Sequence, residues 1–410
     1  MNTKMINTST LSIIIACGAA AHAEVPTYAV DVVATYAVST NIRGASDAGQ
    51  IVGDQIINGI PRAFVASQGN GLTLLPLPLD ATSSVAMDVN NNGVIVGAVH
   101  ASGFVFDGGV PAIWVPDGAG SYTVHIPEQF DSLPSPVGVR QINGGMATAI
   151  NDAGVVLGWS RYQGFQGGPA TMFSIDQPPV NLGELGFAAA PEDLNNNNVA
   201  VGGNYIFDLN TNTATHIGVP DPVGSVGFTH VLGYAINDSE HVVAAAHIAT
   251  STNNQWVTYA YDGEWSPLYP NQIGTRFVGF VYDNNNAGDI SAWGGVYFAP
   301  EDMWFGSYDL LLETEDQNWD TSIGYIGNDR RVYTSAYDAA ADTYAIVVLV
   351  PDTGICAADM TNDGVLDFFD VSAFLNAYNA MDPSADFTND GAFDFFDVSA
   401  FLSAYNAGCP

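Results

Sequence analysis

Apolar residues between Glu24 and Val350 come in short runs, separated by clusters of Gly, Asn, Asp, Ser and Pro. That is the pattern of brief strands joined by tight turns, and no long stretch carries the 3.6-residue period of an amphipathic helix. The pattern changes near the C-terminus. There Val371, Phe374, Leu375 and Tyr378 fall on one helical face, and Val398, Phe401, Leu402 and Tyr405 repeat the arrangement. An all-β body followed by two packed, near-symmetric helices is predicted.

The body repeats itself. Ala149-Ile-Asn-Asp-Ala-Gly-Val-Val-Leu-Gly158 is the clearest copy, preceded by Gly44-Ala-Ser-Asp-Ala-Gly-Gln-Ile-Val-Gly53 and Met87-Asp-Val-Asn-Asn-Asn-Gly-Val-Ile-Val-Gly97. Later copies degrade, as in Asp193-Leu-Asn-Asn-Asn-Asn-Val-Ala-Val-Gly202 and Ala235-Ile-Asn-Asp-Ser-Glu-His-Val-Val-Ala244. Asn, Asp and Gly tolerate the left-handed backbone that a tight hairpin requires, so each copy reads as a turn followed by an apolar strand. A strand with an aromatic centre comes next, such as Arg62-Ala-Phe-Val-Ala-Ser67 or Pro111-Ala-Ile-Trp-Val115. A further strand ends on Leu or Pro, making four strands per repeat.

With the turn position placed at Gly49, Gly93, Gly154, Asn198, Glu240, Gly288 and Arg331, the spacings are 44, 61, 44, 42, 48 and 43. A period in the forties built only of strands and turns is that of propeller blades, and seven turns predict about seven of them. Tyr28–Ala34 and Tyr344–Val350 are strand-like segments at the two ends of the body, expected to share one blade and so close the ring. The long spacing marks an insertion at Glu128–Met146, rich in Gly, Pro and Ser and expected as a loop over one face.

These repeats resemble those of the HAF-repeat family of extracellular bacterial proteins, which join an Ile-Asn-Asp-x-Gly-x-Val-Val-Gly turn to a His/Arg-Ala-Phe strand. The likeness covers most of residues 40–350. It implies propeller blades and says little about activity.

The tail holds a second duplication. Asp359-Met-Thr-Asn-Asp-Gly-Val-Leu-Asp-Phe-Phe-Asp370 returns as Asp386-Phe-Thr-Asn-Asp-Gly-Ala-Phe-Asp-Phe-Phe-Asp397. Carboxylates at loop positions one, five, nine and twelve, with Gly at six, suit a loop wrapped around a hard cation. Such a crowd of carboxylates repels itself unless a cation neutralises it. Two Ca²⁺ ions are therefore expected. By analogy with the twelve-residue loop, the ligands are Asp359, Thr361, Asp363, Asp367, Asp370 and the Val365 carbonyl, then Asp386, Thr388, Asp390, Asp394, Asp397 and the Ala392 carbonyl. The tail resembles a type I dockerin, a paired calcium-loop module like a halved EF-hand with one helix per loop. That resemblance implies attachment to a cohesin-like or other surface protein. The Phe368-Phe369 and Phe395-Phe396 pairs depart from the small polar residues a cellulosomal dockerin carries there, and at least one Phe of each pair is expected in the core.

Composition adds compartment and charge. Lys4, an apolar stretch from Leu11 to Ala21 and Ala21-His22-Ala23 read as a signal peptide over residues 1–23. A lipoprotein signal with Cys17 as the lipidated residue is the rival reading, and both export the chain to the extracellular space or cell surface. Cys356 and Cys409 bracket the tail, and two cysteines in an exported chain are expected to form a disulfide. The expected domains are thus residues 1–23, a propeller over 24–351 and the calcium module over 352–410. Lys4 is the only lysine, and 43 acidic residues against 8 basic ones give a net charge of −35. Such a surface repels nucleic acid and anionic membranes. No further stretch is apolar for the roughly 20 residues a membrane span needs.

No Gly-x-Ser-x-Gly elbow, phosphate loop or His-Glu-x-x-His motif occurs, and no catalytic residues are assigned. The first functional reading is a non-catalytic binding protein, with a glycan as a candidate ligand of the propeller. The alternative is a polysaccharide hydrolase or lyase carrying a dockerin-like tail. A carboxylate pair, or Tyr, His and Arg together in the central funnel, favours the enzyme; a funnel of Asn, Gly and small apolar groups favours the binder.

Overall fold

The computed structural model describes residues 27–407 apart from several stretches, the longest being 102–108, 219–227, 268–280 and 307–318. In the C-terminal region residues 353–357, 359, 362–365, 367, 382–384, 386 and 389–391 also lie outside the description. The signal peptide, Cys17, Cys356 and Cys409 fall outside the described residues. The chain divides into two compact units, Pro26–Ile355 and a C-terminal unit over Cys356–Pro410.

The first unit is a seven-bladed β-propeller. Its seven antiparallel sheets span residues 40–74, 83–125, 132–181, 193–216, 228–267, 281–306 and 319–352, here blades 1 to 7. Blades 1, 2, 4, 5 and 6 have four strands in simple up-and-down order. Blade 7 takes its outermost strand from the other end of the chain. Thr27–Tyr36 pairs antiparallel with Thr343–Asp352, with Tyr28 opposite Pro351 and Ala29 opposite Val350. The expected ring closure is therefore present.

Two expectations need correction. The Glu128–Met146 insertion is not a featureless loop. Ser132–Ser135 forms an extra strand paired with Gly138–Ile150, so blade 3 has five strands. The inserted residues alternate well enough to extend the inner strand as a hairpin, and Gly138 supplies a positive φ of 111° beside the bend. In the last repeat the left-handed residue is Arg330, at φ 63°, and not Arg331. The turn there is Gly327-Asn-Asp-Arg330, which puts the six spacings at 44, 61, 44, 42, 48 and 42.

Alternation along each strand puts apolar side chains on both faces, and neighbouring blades bury them against each other. Val52, Val65 and Leu75 of blade 1 pack with Val89, Ile95 and Trp114 of blade 2. Ile51 and Phe64 of blade 1 also meet Tyr333, Ile346 and Val348 of blade 7, across the seam that shuts the ring. The Gly of the Val-Val-Gly motif has a steric reason. Inner strands carry β-bulges, such as that between Ala86 and Asp88. A Cβ on Gly97 would sit 2.1 Å from the Val85 carbonyl oxygen, and one on Gly158 would sit 2.0 Å from that of Met146.

The C-terminal unit contains α1 (Phe368–Ala380) and α2 (Phe395–Ala407). Phe374 and Phe401 stack with ring centroids 4.0 Å apart and planes 3° apart. Phe374–Tyr378 and Phe401–Tyr405 contacts match at 5.8 Å each, so the two copies form the predicted near-symmetric pair. Val371 and Val398 border this core, whereas Leu375 and Leu402 are 51% and 52% exposed and do not join it as expected. All four residues of the two Phe pairs are exposed too, at 66–75%. They stand at the very start of each helix, on the turn before the face that meets its partner. Among the described residues, no helix is long and apolar enough to cross a membrane.

Candidate functional site

The first strands of the blades converge on a central cavity of about 440 Å³, lined by residues from all seven blades. The Asn-Asp-x-Gly turns surround its mouth. In blades 2 to 6 each turn is fixed locally by its own Asn, as when Asn195 Oδ1 accepts from the Asn197 and Val199 N–H groups, whereas blade 7 has Gly327 at this place. Ser46 takes this place in blade 1, its Oγ accepting from Gln50 N.

The same residues also tie blade to blade. Asn90 Nδ2 donates to the Asn151 carbonyl, Asn151 to that of Asn195, Asn195 to Asn237, Asn237 to Asn285 and Asn285 to Gly327, over 2.8–3.1 Å. One residue further on, a second belt runs through all seven blades. The N–H groups of Asn91, Asp152, Asn196, Asp238, Asn286 and Asn328 donate to the side-chain oxygens of Asp152, Asn196, Asp238, Asn286, Asn328 and Asp47 in turn. Ala48 N completes the circuit by donating to Asn91 Oδ1 at 3.1 Å. The Asn-Asp pair therefore does more than favour a turn, which is the only role the sequence reading gave it.

Below the mouth, one position of the first strands alternates from blade to blade. Two residues before the turn Asn stand Asp88, Asp193 and Asp283 in blades 2, 4 and 6, and Gly44, Ala149 and Ala235 in blades 1, 3 and 5. Tyr325 takes this place in blade 7. Each aspartate clasps the next blade. Asp88 Oδ2 accepts from Ile150 N at 2.8 Å, Asp193 Oδ2 from Ile236 N at 2.8 Å and Asp283 Oδ2 from Ile326 N at 3.3 Å. The other oxygen accepts from the following residue of its own strand, at 2.7–2.8 Å. On the clasped blade the equivalent position is Ala149 for Asp88, Ala235 for Asp193 and Tyr325 for Asp283. These three aspartates were not singled out from the sequence. Their signal is an Asp two positions before the turn Asn in alternate repeats.

The acids keep one side open to the cavity while protein surrounds the rest. Burial pushes the Asp88 carboxyl up to about 7, against the pull of the Ile150 N–H, and neighbouring Asp193 adds to the rise. Burial also raises Asp193, and raises Asp283 well above the usual carboxylate range, the latter with help from Asp193 and Asp88. Tyr282 and Tyr325, whose rings lie 6.4 Å apart on adjacent blades, have phenols raised by burial, and Asp283 pushes Tyr325 further. Among the described residues lining the cavity Arg43 is the one basic side chain, and its Nε sits 2.5 Å from the buried Asp54. The funnel thus mixes the two outcomes set out above. It has the Asn and small residues of a binder, and also three carboxylates, two tyrosines and an arginine.

Of the twelve expected calcium-site residues, Thr361, Asp370, Thr388, Ala392, Asp394 and Asp397 are described; Asp359, Asp363, Val365, Asp367, Asp386 and Asp390 lie outside the described residues. Position three meets position twelve in both loops. Thr361 donates its N–H and hydroxyl to Asp370 Oδ1 at 3.0 and 2.9 Å, and Thr388 does the same to Asp397 Oδ1 at 3.1 and 2.9 Å. Asp370 and Asp397 are both buried. The Asp394 N–H, followed by the Thr388 N–H and hydroxyl, holds the Asp397 carboxyl below its ordinary range. An ionised carboxylate at the base of an acidic loop fits a hard divalent cation. In blade 5, His241 is exposed in the turn, and the side chains of the cross-strand partners His230 and His247 are outside the described residues.

No protein-family model matches the chain, and no curated protein sequence matches it. Several solved structures are similar in fold. YCF48 bound to D1 peptide is 11% identical at a TM-score of 0.43, over 80% of this chain and 98% of that one. The GH74 xyloglucanase of Xanthomonas campestris is 12% identical at 0.37, over 72% and 50%. The tricorn protease is 11% identical at 0.38, over 93% and 42%. At such identities the likeness concerns fold alone.

Proposed function

We propose that the protein is a non-catalytic, extracellular or cell-surface binding scaffold, a HAF-like propeller presented by a Ca²⁺-dependent, dockerin-like attachment module. One observation carries the first half. The three cavity carboxylates perform one and the same fastening role in blades 2, 4 and 6, each accepting from two main-chain N–H groups. A threefold repeated role belongs to the fold, whereas acid–base catalysis needs two carboxyls in unlike settings.

The second half rests on the tail. Asp359, Thr361, Asp363, Asp367, Asp370 and the Val365 carbonyl would hold one ion, and their counterparts from Asp386 to Asp397 the other. The ion would supply counter-charge to each acidic loop. The exposed Phe368, Phe369, Phe395 and Phe396 offer an apolar contact for a cohesin-like or other surface protein. Export by the N-terminal signal and a Cys356–Cys409 disulfide belong to the same reading.

The alternative, a polysaccharide hydrolase or lyase, draws on the raised Asp88 and Asp283 carboxyls beside Tyr282, Tyr325 and Arg43. Calorimetric titration of the mature protein with Ca²⁺ should show two ions bound, and chelation should remove the helical signal of the tail alone. Reducing-sugar release from a polysaccharide panel should stay at background. Absence of Ca²⁺ heat would sink the attachment module, and turnover abolished by Asp88→Asn or Asp283→Asn would establish the enzyme instead.

A further inference from the structure

Arginine is scarce in this chain, and the described arginines are engaged with one exception. Arg43, Arg330 and Arg331 pair with Asp54, Asp289 and Asp329. Arg140 lies over the Phe165 ring at 3.7 Å, and Arg161 donates to the Asn143 carbonyl at 3.4 Å. Arg62 alone among the described arginines has no carboxylate and no hydrogen-bond partner. Its Nε is covered, while its two terminal nitrogens stay open to solvent. Among 43 acidic residues, a half-buried guanidinium left without counter-charge is a costly arrangement.

The surroundings of Arg62 follow from strand register. Ile60–Ser67 alternates, so Arg62 shares a face with Phe64 and Ala66, which pack on Tyr333, Ile346 and Val348 of blade 7. On the blade 7 strand Thr343–Asp352, the residue next to Ile346 on that face is Tyr344. Arg62 and Tyr344 thus end the same seam, at the side of the propeller away from the Asn-Asp turns. Tyr344 stands directly between Tyr337 on one neighbouring strand and Tyr36 on the other. The rings of Tyr337 and Tyr344 are 5.0 Å apart, and Tyr344 is 37% exposed. Three tyrosines in a row therefore make a partly open aromatic ledge facing an unpaired cation. Nearby Asp54 belongs to the other face of its strand, where Arg43 and Asn41 hold it. Gln55, across from Arg62, donates its amide to Thr40 Oγ1.

This pairing of groups selects a ligand. The guanidinium edge presents donors in a planar fork that matches a carboxylate. Tyrosine rings take the C–H face of a pyranose and bury it at little entropic cost. A neutral sugar would leave the charge of Arg62 uncompensated, and a bare inorganic anion would leave the ledge uncovered. A uronate satisfies both, with its carboxylate and its ring carried on one residue.

We propose that the seam between blades 7 and 1 binds a uronate residue of an acidic glycan, its carboxylate on Arg62 and its ring on Tyr344 and its flanking tyrosines. This deepens the reading of the propeller as a binder and leaves the calcium module aside. Turnover of the bound oligosaccharide would sink the non-catalytic reading and leave the site standing, whereas silence toward the oligosaccharides below would sink the site alone.

The test is calorimetric titration of the full mature chain with trigalacturonate and with trimannuronate, against maltotriose, sulfate and triglutamate. At least one uronate should bind once per chain, with maltotriose, sulfate and triglutamate at least roughly tenfold weaker. Arg62→Gln should weaken that binding roughly tenfold or more without lowering the melting temperature, since no protein partner is lost. Arg62→Lys should recover only part of it, because an ammonium lacks the fork. Tyr344→Phe keeps the ring and should bind as the wild type does, while Tyr344→Ala should bind several-fold more weakly. Arg331→Gln, beside the turns on the opposite side, removes the same charge and should change nothing. Equal loss in Arg331→Gln would show that overall charge governs uptake, and that result overturns the proposal. So would unchanged binding in Arg62→Gln, tighter binding of sulfate or maltotriose, or preference for triglutamate, which would mark an acidic peptide as the ligand.

Discussion

Asp88, Asp193 and Asp283 fasten neighbouring blades, yet their surroundings penalise their ionised form. Their carboxyls are raised in the folded chain, Asp88 to about 7, above the ordinary range they have when unfolded. The folded state therefore holds extra protons. Its gain is complete below the unfolded value and is lost as pH rises through the folded one. Stability should fall between about pH 4 and pH 7 from Asp88, and over a range reaching higher from Asp283. Chemical denaturation across that range should show a steeper decline in the wild type than in the triple Asp→Asn variant, whose profile flattens. Identical slopes would refute the assignment. The turn residues were legible because Asn, Asp and Gly carry a local backbone preference that needs no partner. The clasps were not, because their partners lie 43 or 62 residues away, and an Asp inside Met87-Asp-Val-Asn reads as one more polar position.

At the scale of elements, the strand Thr27–Tyr36 stands out because nothing adjacent in sequence holds it. It covers the Thr343–Asp352 edge, buries Tyr28 completely and sets the Tyr28 hydroxyl on the Arg330 carbonyl at 2.9 Å. Tyr36 and Val33 add to the seam with blade 1. A chain beginning at residue 37 should lose roughly 3–6 kcal/mol, judged from the apolar side chains it uncovers, and should aggregate through the bared edge. Adding a peptide of residues 27–36 should restore part of the loss. An unchanged melting temperature in the truncated chain would contradict the seam. This pairing was readable from two apolar segments at opposite ends of a repeating body. The hairpin inside Glu128–Met146 was not, because Gly, Pro and Ser mask the alternation of Leu133, Val139 and Ile142. The exposed Phe pairs escaped for a related reason. Apolar character alone does not say which side of a helix start faces the partner helix.

For the whole molecule, 35 net negative charges set the terms of stability. The belts of Asn and Asp at the cavity mouth use hydrogen bonds, not opposite charges, so they survive in a chain with few cations. Described ion pairs are sparse; Arg330 with the buried Asp289 at 2.9 Å is one. Self-repulsion among the acids should then be relieved by salt, whose screening length shrinks from about 10 Å at 0.1 M to about 3 Å at 1 M. Thermal unfolding in rising NaCl should shift upward by several degrees over that range, and a flat or falling midpoint would argue against repulsion as the limiting term. Blade number was legible at this scale from seven turn signals, since a repeating unit must stack upon its own copies to bury its faces.

Tyr28 meets Pro351, so the first strand of the propeller waits for nearly its last residues. During synthesis at about 5–20 residues per second, that wait is of the order of tens of seconds. Six blades are on hand before the seventh receives its outermost strand. For that interval the early segment is an unengaged β-former, and whatever escorts it through those seconds decides how much finished protein the cell obtains.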